Sequence, residues 1–487
     1  ASGPEMCAEL AQIVAGLHRA GRGRLWILTR MGVSATASDP APLPSQSALW
    51  GFGRALALEM PQHWGGLLDV AEDSPEAWAS ALAQLDDEDE MAFRSGICYI
   101  PRLQSLELTA MTPQLDPQAF YLVTGASGLA LEAAHYLLDA GARRLLLISR
   151  SSHHEPRLEQ LHARGAEIRH LCMDVVEPRL AQVVAELGAP LKGVVHSAAV
   201  LADGLLAQLG LEQMERVFHP KLEGGRNLAR AAQGQPLDFF LLFSSAAALF
   251  GNLGQANYCA ANAALEGLAA QLRAQQVPAS VIHWGPWEQV GMVTRLSLVH
   301  QQRIREQGLE PFLPEQMAAL LSLFLVNCRQ APVSLALLQV DWTRFADQNP
   351  QLGRRPILGQ SLCQAVAPPI LQALQQADPE QRRPLLLTHV RGMLAEVLRL
   401  SPDAPLDTQE GFFQMGMDSL LASELAVRLQ KALDCPLPTS VILDTANLRQ
   451  LTDELCLRVF GEPEQDDVSE EELAALIGSK FDSLLGG

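Results

Sequence analysis

Tyr258 and Asn262 stand four residues apart in YCAANAALEGLAAQL, a stretch with helical character, so their side chains share one helix face. Ser245 closes the apolar run FFLLFSS shortly before them. A phenol, a hydroxyl and an amide gathered beside a strand end could give a proton and fixed hydrogen bonds to an oxygen on which negative charge develops. A free phenol titrates at about 10, so Tyr258 is already an acid at neutral pH. Upstream, FYLVTGASGLALEAAHYLL puts Gly125, Ser127 and Gly128 between a strand and a helix, where free backbone amides receive a pyrophosphate. Arg150 ends the next β-rich run, RRLLLISR, and its guanidinium is placed for a 2′-phosphate. Asp174, with Val175 beside it, follows the strand after that and is placed to meet an adenine. Taken singly, Tyr258 is more economically a core residue and Ser245 a strand-end cap. Their joint spacing carries the chemistry.

These residues need a sheet to hold them. FYLVTG, RRLLLIS, IRHLCM, LKGVVHSAA, FFLLFSS, ASVIHWG and VSLALLQV alternate with helical stretches such as Glu132 to Leu138 and Leu158 to Ala163. That rhythm predicts a parallel sheet covered on both faces, with ligands at the carboxyl ends of its strands. The preceding stretch shares the plan: RLWILTR, like RRLLLISR, is a short apolar run ending in Arg. It has no glycine-rich turn and no Tyr placed as an acid. The partition is therefore a degenerate α/β half over 1–116, a site-bearing α/β half over 117–346, a Gln- and Pro-rich linker over 347–382, a small helical bundle over 383–460 and an acidic tail over 461–487. The bundle helices are expected at Leu385 to Leu400, Ser419 to Leu433 and Leu448 to Val459. The tail runs through Glu462 to Glu472 and then the weakly amphipathic ELAALIGSKFDSLL, a linker helix or docking element.

The 487 residues are 48% hydrophobic but only 5% aromatic, so Leu, Ala and Val fill the interior, which suits layered strands and helices. A net charge of -19 argues against nucleic acid and anionic membranes as partners. No apolar run reaches the length of a membrane span, and the opening lacks a basic leader with a cleavage pattern. The helical start and the terminal Gly486 and Gly487 read as the ends of a piece cut from something longer. Eight cysteines without CxxC or metal-ligand spacing read as reduced thiols in a cytoplasmic protein that binds no metal.

FHPKLEGGRNL, LLFSSAAALFGNLGQANYCAANAALEGLA and HWGPWEQVGM resemble the signature segments of polyketide synthase ketoreductases, and the likeness covers nearly all of residues 20 to 345. It implies two Rossmann-like short-chain dehydrogenase subdomains, the first purely structural. In that family an upstream Lys and an Asn share the arrangement of Lys221 and Asn262 here. The resemblance implies that Tyr258 gives the proton, Ser245 holds the carbonyl, Lys221 lowers the Tyr258 pKa and binds the nicotinamide ribose of NADPH, and Asn262 orients Lys221 or a relay water. His196 is expected to be structural or to line the cofactor, and His153 and His154 to face solvent. VLADGLL is similar to the LDD segment of ketoreductases that give the D-hydroxy, B-type product: Asp203 matches its last acidic position, Ala202 replaces the first, and Phe250 stands where the opposite type has a Trp.

GMDSL, within residues 383 to 460, resembles the attachment motif of acyl carrier proteins. Ser419 would carry 4′-phosphopantetheine at a helix N-terminus, where free amides and the helix dipole favour a phosphodiester. The implied partners are an acyl thioester, ketosynthase and acyltransferase domains and a phosphopantetheinyl transferase. One departure stands out. The family's turn reads like TGGxGGLG, whereas TGASGLA is one residue shorter and has Ala130 at the helix-proximal Gly. Strain of about 1 kcal/mol is expected if Ala130 must take a positive φ. The rival expectation is a reductase-shaped scaffold that binds no cofactor and serves the carrier.

Overall fold

The computed structural model describes residues 2–71, 78, 81, 88–107, 113–125, 128–150, 156–288, 308–329, 331–349, 355–358, 369–398, 400, 407–412, 414–417, 419–433, 435, 437, 441–442 and 445–460. The expectations for Ser127, His153, His154 and the tail over 461–487 lie outside these residues. The chain divides into two compact units, 1–364 and 365–487.

In the first unit, α1 (Gly3–Ala20) and α2 (Pro44–Glu59) accompany a four-stranded sheet of β1 (Leu25–Arg30), β2 (Trp64–Val70), β3 (Glu90–Arg94) and β4 (Ile97–Tyr99), in that order. The first three strands are parallel, as the sequence suggested, but β4 turns back antiparallel to β3. At the carboxyl ends, Asp69 accepts from the Thr29 hydroxyl at 2.6 Å and from Arg94 at 2.6 Å, and Arg94 also reaches Asp39 at 2.9 Å. The crevice where a Rossmann-like sheet would take a ligand is thus crossed by the half's own ion pairs.

The second sheet contains β5 (Phe120–Thr124), β6 (Arg144–Ser149), β7 (Glu167–Cys172), β8 (Leu191–His196), β9 (Phe239–Ser245), β10 (Ala279–Trp284) and β11 (Ser334–Leu337). Its order is β11-β10-β9-β8-β5-β6-β7 and every pairing is parallel. β5 is buried at every position, as an unbroken apolar strand covered on both faces must be. Register brings Thr124 beside His196 and Ser245 beside Trp284, so the strand ends form one rim. Around the sheet lie α3 (Leu129–Asp139), α4 (Gly224–Ala231) and α5 (Ala256–Ala274).

The two halves share a core through α2 and α5. A Cβ at Gly51 would stand 2.2 Å from the Cys259 carbonyl oxygen, so only glycine lets these helices approach so closely. A charged lock adds to this packing. Buried Glu90 accepts from Arg54 at 2.8 Å and from Arg355, and Arg355 also meets Asp89 at 3.2 Å. Burial alone would raise the Glu90 carboxyl, but the two guanidiniums outweigh it and hold it below the usual range. Glu90→Ala is expected to cost about 3–5 kcal/mol, because it strands two buried cations; the midpoint of urea unfolding measures it.

The lock corrects the expected linker over 347–382. Ile357 and Leu358 are buried with Phe250 and Phe345, and the Ile357 carbonyl accepts from the Leu103 amide at 2.8 Å. Gln- and Pro-rich composition concealed these few anchors. In the second unit the bundle also begins earlier than expected, with α6 (Pro369–Gln376), which buries Leu371 and Leu374, and α7 (Pro379–Val397). A two-turn helix is too short to show a clear period in sequence. With α8 (Ser419–Leu433) and α9 (Leu448–Phe460) these helices close on Leu374, Leu386, Val390, Leu425, Leu429, Leu451 and Leu455. Among the described residues no helix is long and apolar enough to cross a membrane, no cluster could hold a metal ion, and the cysteines are free thiols.

Candidate active site

Four of the polar groups singled out above converge at the carboxyl end of β9. Ser245 closes the strand, and Tyr258 and Asn262 lie one turn apart near the start of α5. Burial pushes the Tyr258 phenol up to about 12, and hydrogen bonding with the Asn262 and Ser245 side chains opposes the rise. Lys221 enters from a single turn of π-helix, His219–Glu223, a local irregularity common at functional positions. Its Nζ donates to the Phe243 carbonyl at 2.6 Å and stands 5.9 Å from the Tyr258 ring centroid.

Burial brings Lys221 down to about 7. The cost of burying it falls as pH rises from about 7 towards the ordinary lysine value, because over that window the unfolded chain binds the proton and the folded one releases it. For Tyr258 the burial effect is the largest and sets the direction of the shift. A phenol this high is fully protonated at neutral pH and remains suited to give a proton.

Asn262 donates through Nδ2 to the Tyr258 carbonyl at 2.8 Å, while its Oδ1 is buried with no partner. An orphaned acceptor beside Tyr258 fits a bound water or a ligand hydroxyl. His196 holds the ensemble. The Thr124 hydroxyl accepts from the Ser197 and Ala198 amides at 3.0 and 3.1 Å, so its own proton goes to His196 Nδ1 at 2.9 Å, and Nε2–H donates to the Lys221 carbonyl at 2.8 Å. Burial lowers His196 to about 4, so it is neutral and structural. His283, also buried neutral and lowered to about 3, meets the Ser244 hydroxyl at 3.0 Å.

Two glycines of the turn after β5 take positive φ. Gly125 has φ +102°, and a Cβ there would stand 2.9 Å from that of Ala130. Gly128, at φ +54°, precedes the first residue of α3. The strain expected at Ala130 is absent, because α3 begins at Leu129 and Ala130 sits in its first turn without positive φ. Arg150 is exposed at the end of β6. Asp174 Oδ1 accepts from the Val176 amide at 3.2 Å, and the Val175 carbonyl accepts from Asn227 at 2.8 Å. Asn227, on α4, thus fixes the strip that carries Asp174 and Val175; a lone Asn in a helix gave no sequence signal for this contact. These features fit a dinucleotide lying along the strand ends. Asp203 is exposed, accepts from Gln255 at 3.1 Å and adds negative potential at Tyr258. Phe250 points into the cluster with Phe345.

In the second unit, Gly416 at φ +90° and buried Met417 lead to Ser419, the first residue of α8.

Residues 119–289 match the family model described as KR domain, 5–103 that of the polyketide synthase extender module SpnB Rossmann fold domain, and 388–455 that of the phosphopantetheine attachment site. A solved structure described as "Structure of A-type Ketoreductases from Modular Polyketide Synthase" is 33% identical, with 72% of this chain and 77% of that one covered and a TM-score of 0.66. The chain belongs to the ketoreductases of modular polyketide synthases, followed by an acyl carrier domain. A C2-type ketoreductase from a modular polyketide synthase is 30% identical, with 72% and 77% covered and a TM-score of 0.65. Among longer proteins, the polyketide synthase GfsA of Streptomyces halstedii is 32% identical over 90% of this chain and 6% of that protein. The pikromycin polyketide synthase component PikAIII of Streptomyces venezuelae is 32% identical over 86% and 29%. This ketoreductase and carrier therefore span under a third of those synthases.

Proposed function

We propose that the chain reduces a β-ketoacyl thioester with NADPH to the β-hydroxyacyl thioester, the acyl chain riding on a phosphopantetheine arm at Ser419. The observation that supports this best is buried Lys221, its Nζ 5.9 Å from the Tyr258 ring centroid, with Asn262 one turn along the same helix and its Oδ1 unpartnered. When bound, the dinucleotide supplies a hydride to the ketone carbon. Ser245 donates a hydrogen bond to the ketone oxygen and fixes the exposed face. As the C=O π electrons move onto oxygen, Tyr258 releases its proton there. Lys221 holds the ribose hydroxyls and steadies the phenolate that forms, and Asn262 Oδ1 accepts from the water that returns a proton. Gly125, Ser127 and Gly128 take the pyrophosphate, Arg150 the 2′-phosphate, and Asp174 and Val175 the adenine. The setting is the cytoplasm, with ketosynthase and acyltransferase domains and a phosphopantetheinyl transferase as partners.

The shortened turn favours a second reading, a scaffold that binds no cofactor. Titration of the purified chain with NADPH, followed by turnover of a soluble β-keto thioester, separates the two. Saturable binding and a reduced product support the reductase; neither binding nor turnover leaves the scaffold. The same product fixes configuration: a D-hydroxy centre is expected from Asp203, and an L-hydroxy centre would overturn that assignment.

A further inference from the structure

Glu59 is the last residue of α2, where the helix dipole disfavours a carboxylate. What holds it there is a pair of amides from the other half of the fold: Oε1 accepts from the Leu206 amide at 2.6 Å and Oε2 from the Gly254 amide at 2.9 Å. These donors belong to two separate strips. One follows β8 and contains Asp203; the other leads into α5 and Tyr258. The strips are also tied to each other, through Gly204 N–H to the Gly254 carbonyl at 2.9 Å and Gln255 to Asp203 at 3.1 Å. Asn257 reaches the Ala202 carbonyl at 2.7 Å.

The reference point for this clamp is Tyr258 itself. Helix α2 touches the Cys259 carbonyl at Gly51, next in sequence to Tyr258, and Arg54 donates to the Ala248 carbonyl at 2.9 Å. Gly51 and Glu59 lie on one rigid helix, about 12 Å apart along its axis. Helix α2 therefore measures the distance from Tyr258 to both strips. Each clamped amide is one residue from an exposed leucine: Leu205 is 56% and Leu253 63% exposed. Large apolar side chains held open on the two strips, one of which leads into α5 and Tyr258, suit a hydrocarbon ligand.

We propose that Glu59 is a positioning residue for the acyl substrate: one carboxylate from the half that carries none of the reactive groups holds both strips beside Tyr258, and with them Leu205 and Leu253 as an apolar rim for the acyl chain. This rests on Tyr258 being the acid of the reaction.

The test uses the full chain with NADPH, a racemic α-methyl-β-ketoacyl N-acetylcysteamine thioester as probe, and amide hydrogen exchange at Leu206 and Gly254. Glu59→Gln sets an amide N–H₂ against one of the two donors. It is expected to raise KM about tenfold with kcat within about threefold, to erode the diastereomer ratio and to speed exchange at both amides. Glu59→Asp, which keeps the charge, is expected to fall between. Leu253→Ser is expected to raise KM for a β-ketohexanoyl probe more than for acetoacetyl, and it keeps the rim testable should Glu59→Gln fail to fold. Unchanged KM, product ratio and exchange in Glu59→Gln would overturn the clamp, and equal KM effects on the two chain lengths would overturn the rim. A fully active Tyr258→Phe, or wild-type protein that reduces no β-keto thioester, counts instead against the reading of the site. Exchange at Leu206 and Gly254 then decides the clamp alone.

Discussion

Replacing Tyr258 by Phe is expected to lower kcat for β-keto thioester reduction by about 10²–10⁴, with NADPH affinity unchanged. The ring is buried on α5 against a neighbour set that contacts its carbon face, so Phe refills the same space. What disappears is one ionisable proton. Ser245 still holds the ketone oxygen and Lys221 still stands at its strand carbonyl, so ligand binding survives while the developing alkoxide has no acid to meet. Because burial lifts the phenol to about 12, wild-type Tyr258 stays protonated across the neutral range, so its own titration adds no pH dependence between pH 6 and pH 8, and any change in the loss over that window reports Lys221, lowered to about 7. NADPH oxidation followed by absorbance, with dinucleotide binding measured separately, checks both parts. Wild-type kcat in the variant would remove Tyr258 from the chemistry.

Ser419→Ala is expected to abolish loading of the carrier altogether. Ser419 opens α8, whose buried positions Ala422, Leu425, Ala426 and Leu429 lie further along the helix, so the bundle does not need the hydroxyl to fold. The phosphodiester does need it, because the Ser419 hydroxyl oxygen is the atom that would attack the pyrophosphate of coenzyme A and displace adenosine 3′,5′-bisphosphate. Intact mass after treatment with a phosphopantetheinyl transferase and coenzyme A reads the result: wild type gains one arm and the variant none. A gain in the variant would move the attachment point elsewhere.

The strands were legible because an all-parallel, doubly covered sheet writes itself as uninterrupted apolar runs; FYLVT and FFLLFSS are such runs. Tyr258 and Asn262 were legible because a helix repeats its face every four residues. The contacts that hold these groups in place were not. His196 to Lys221, Asn227 to Val175, Glu59 to Leu206 and Arg355 to Glu90 join residues far apart in the chain, and no local pattern marks either end. Ala130 shows the opposite error: a comparison of motifs assigned it a conformation, and the helix boundary, set one residue earlier, removed the problem. The chain over 347–382 was misread because anchoring depends on which few side chains find partners, and composition averages them away.

The close crossing of α2 and α5 bears on how the protein is made. Helix α2 is complete at residue 59, but the helix it packs against ends at residue 274. At about 5–20 residues per second, a ribosome takes roughly 10 to 40 s to cover that interval. During that time the side of α2 that meets α5, around Ser47 and Gly51, has no partner, which would leave the nascent amino-terminal half exposed to misassociation. A polypeptide released before Ala256 would be expected to aggregate, so in biosynthesis the two halves succeed or fail together.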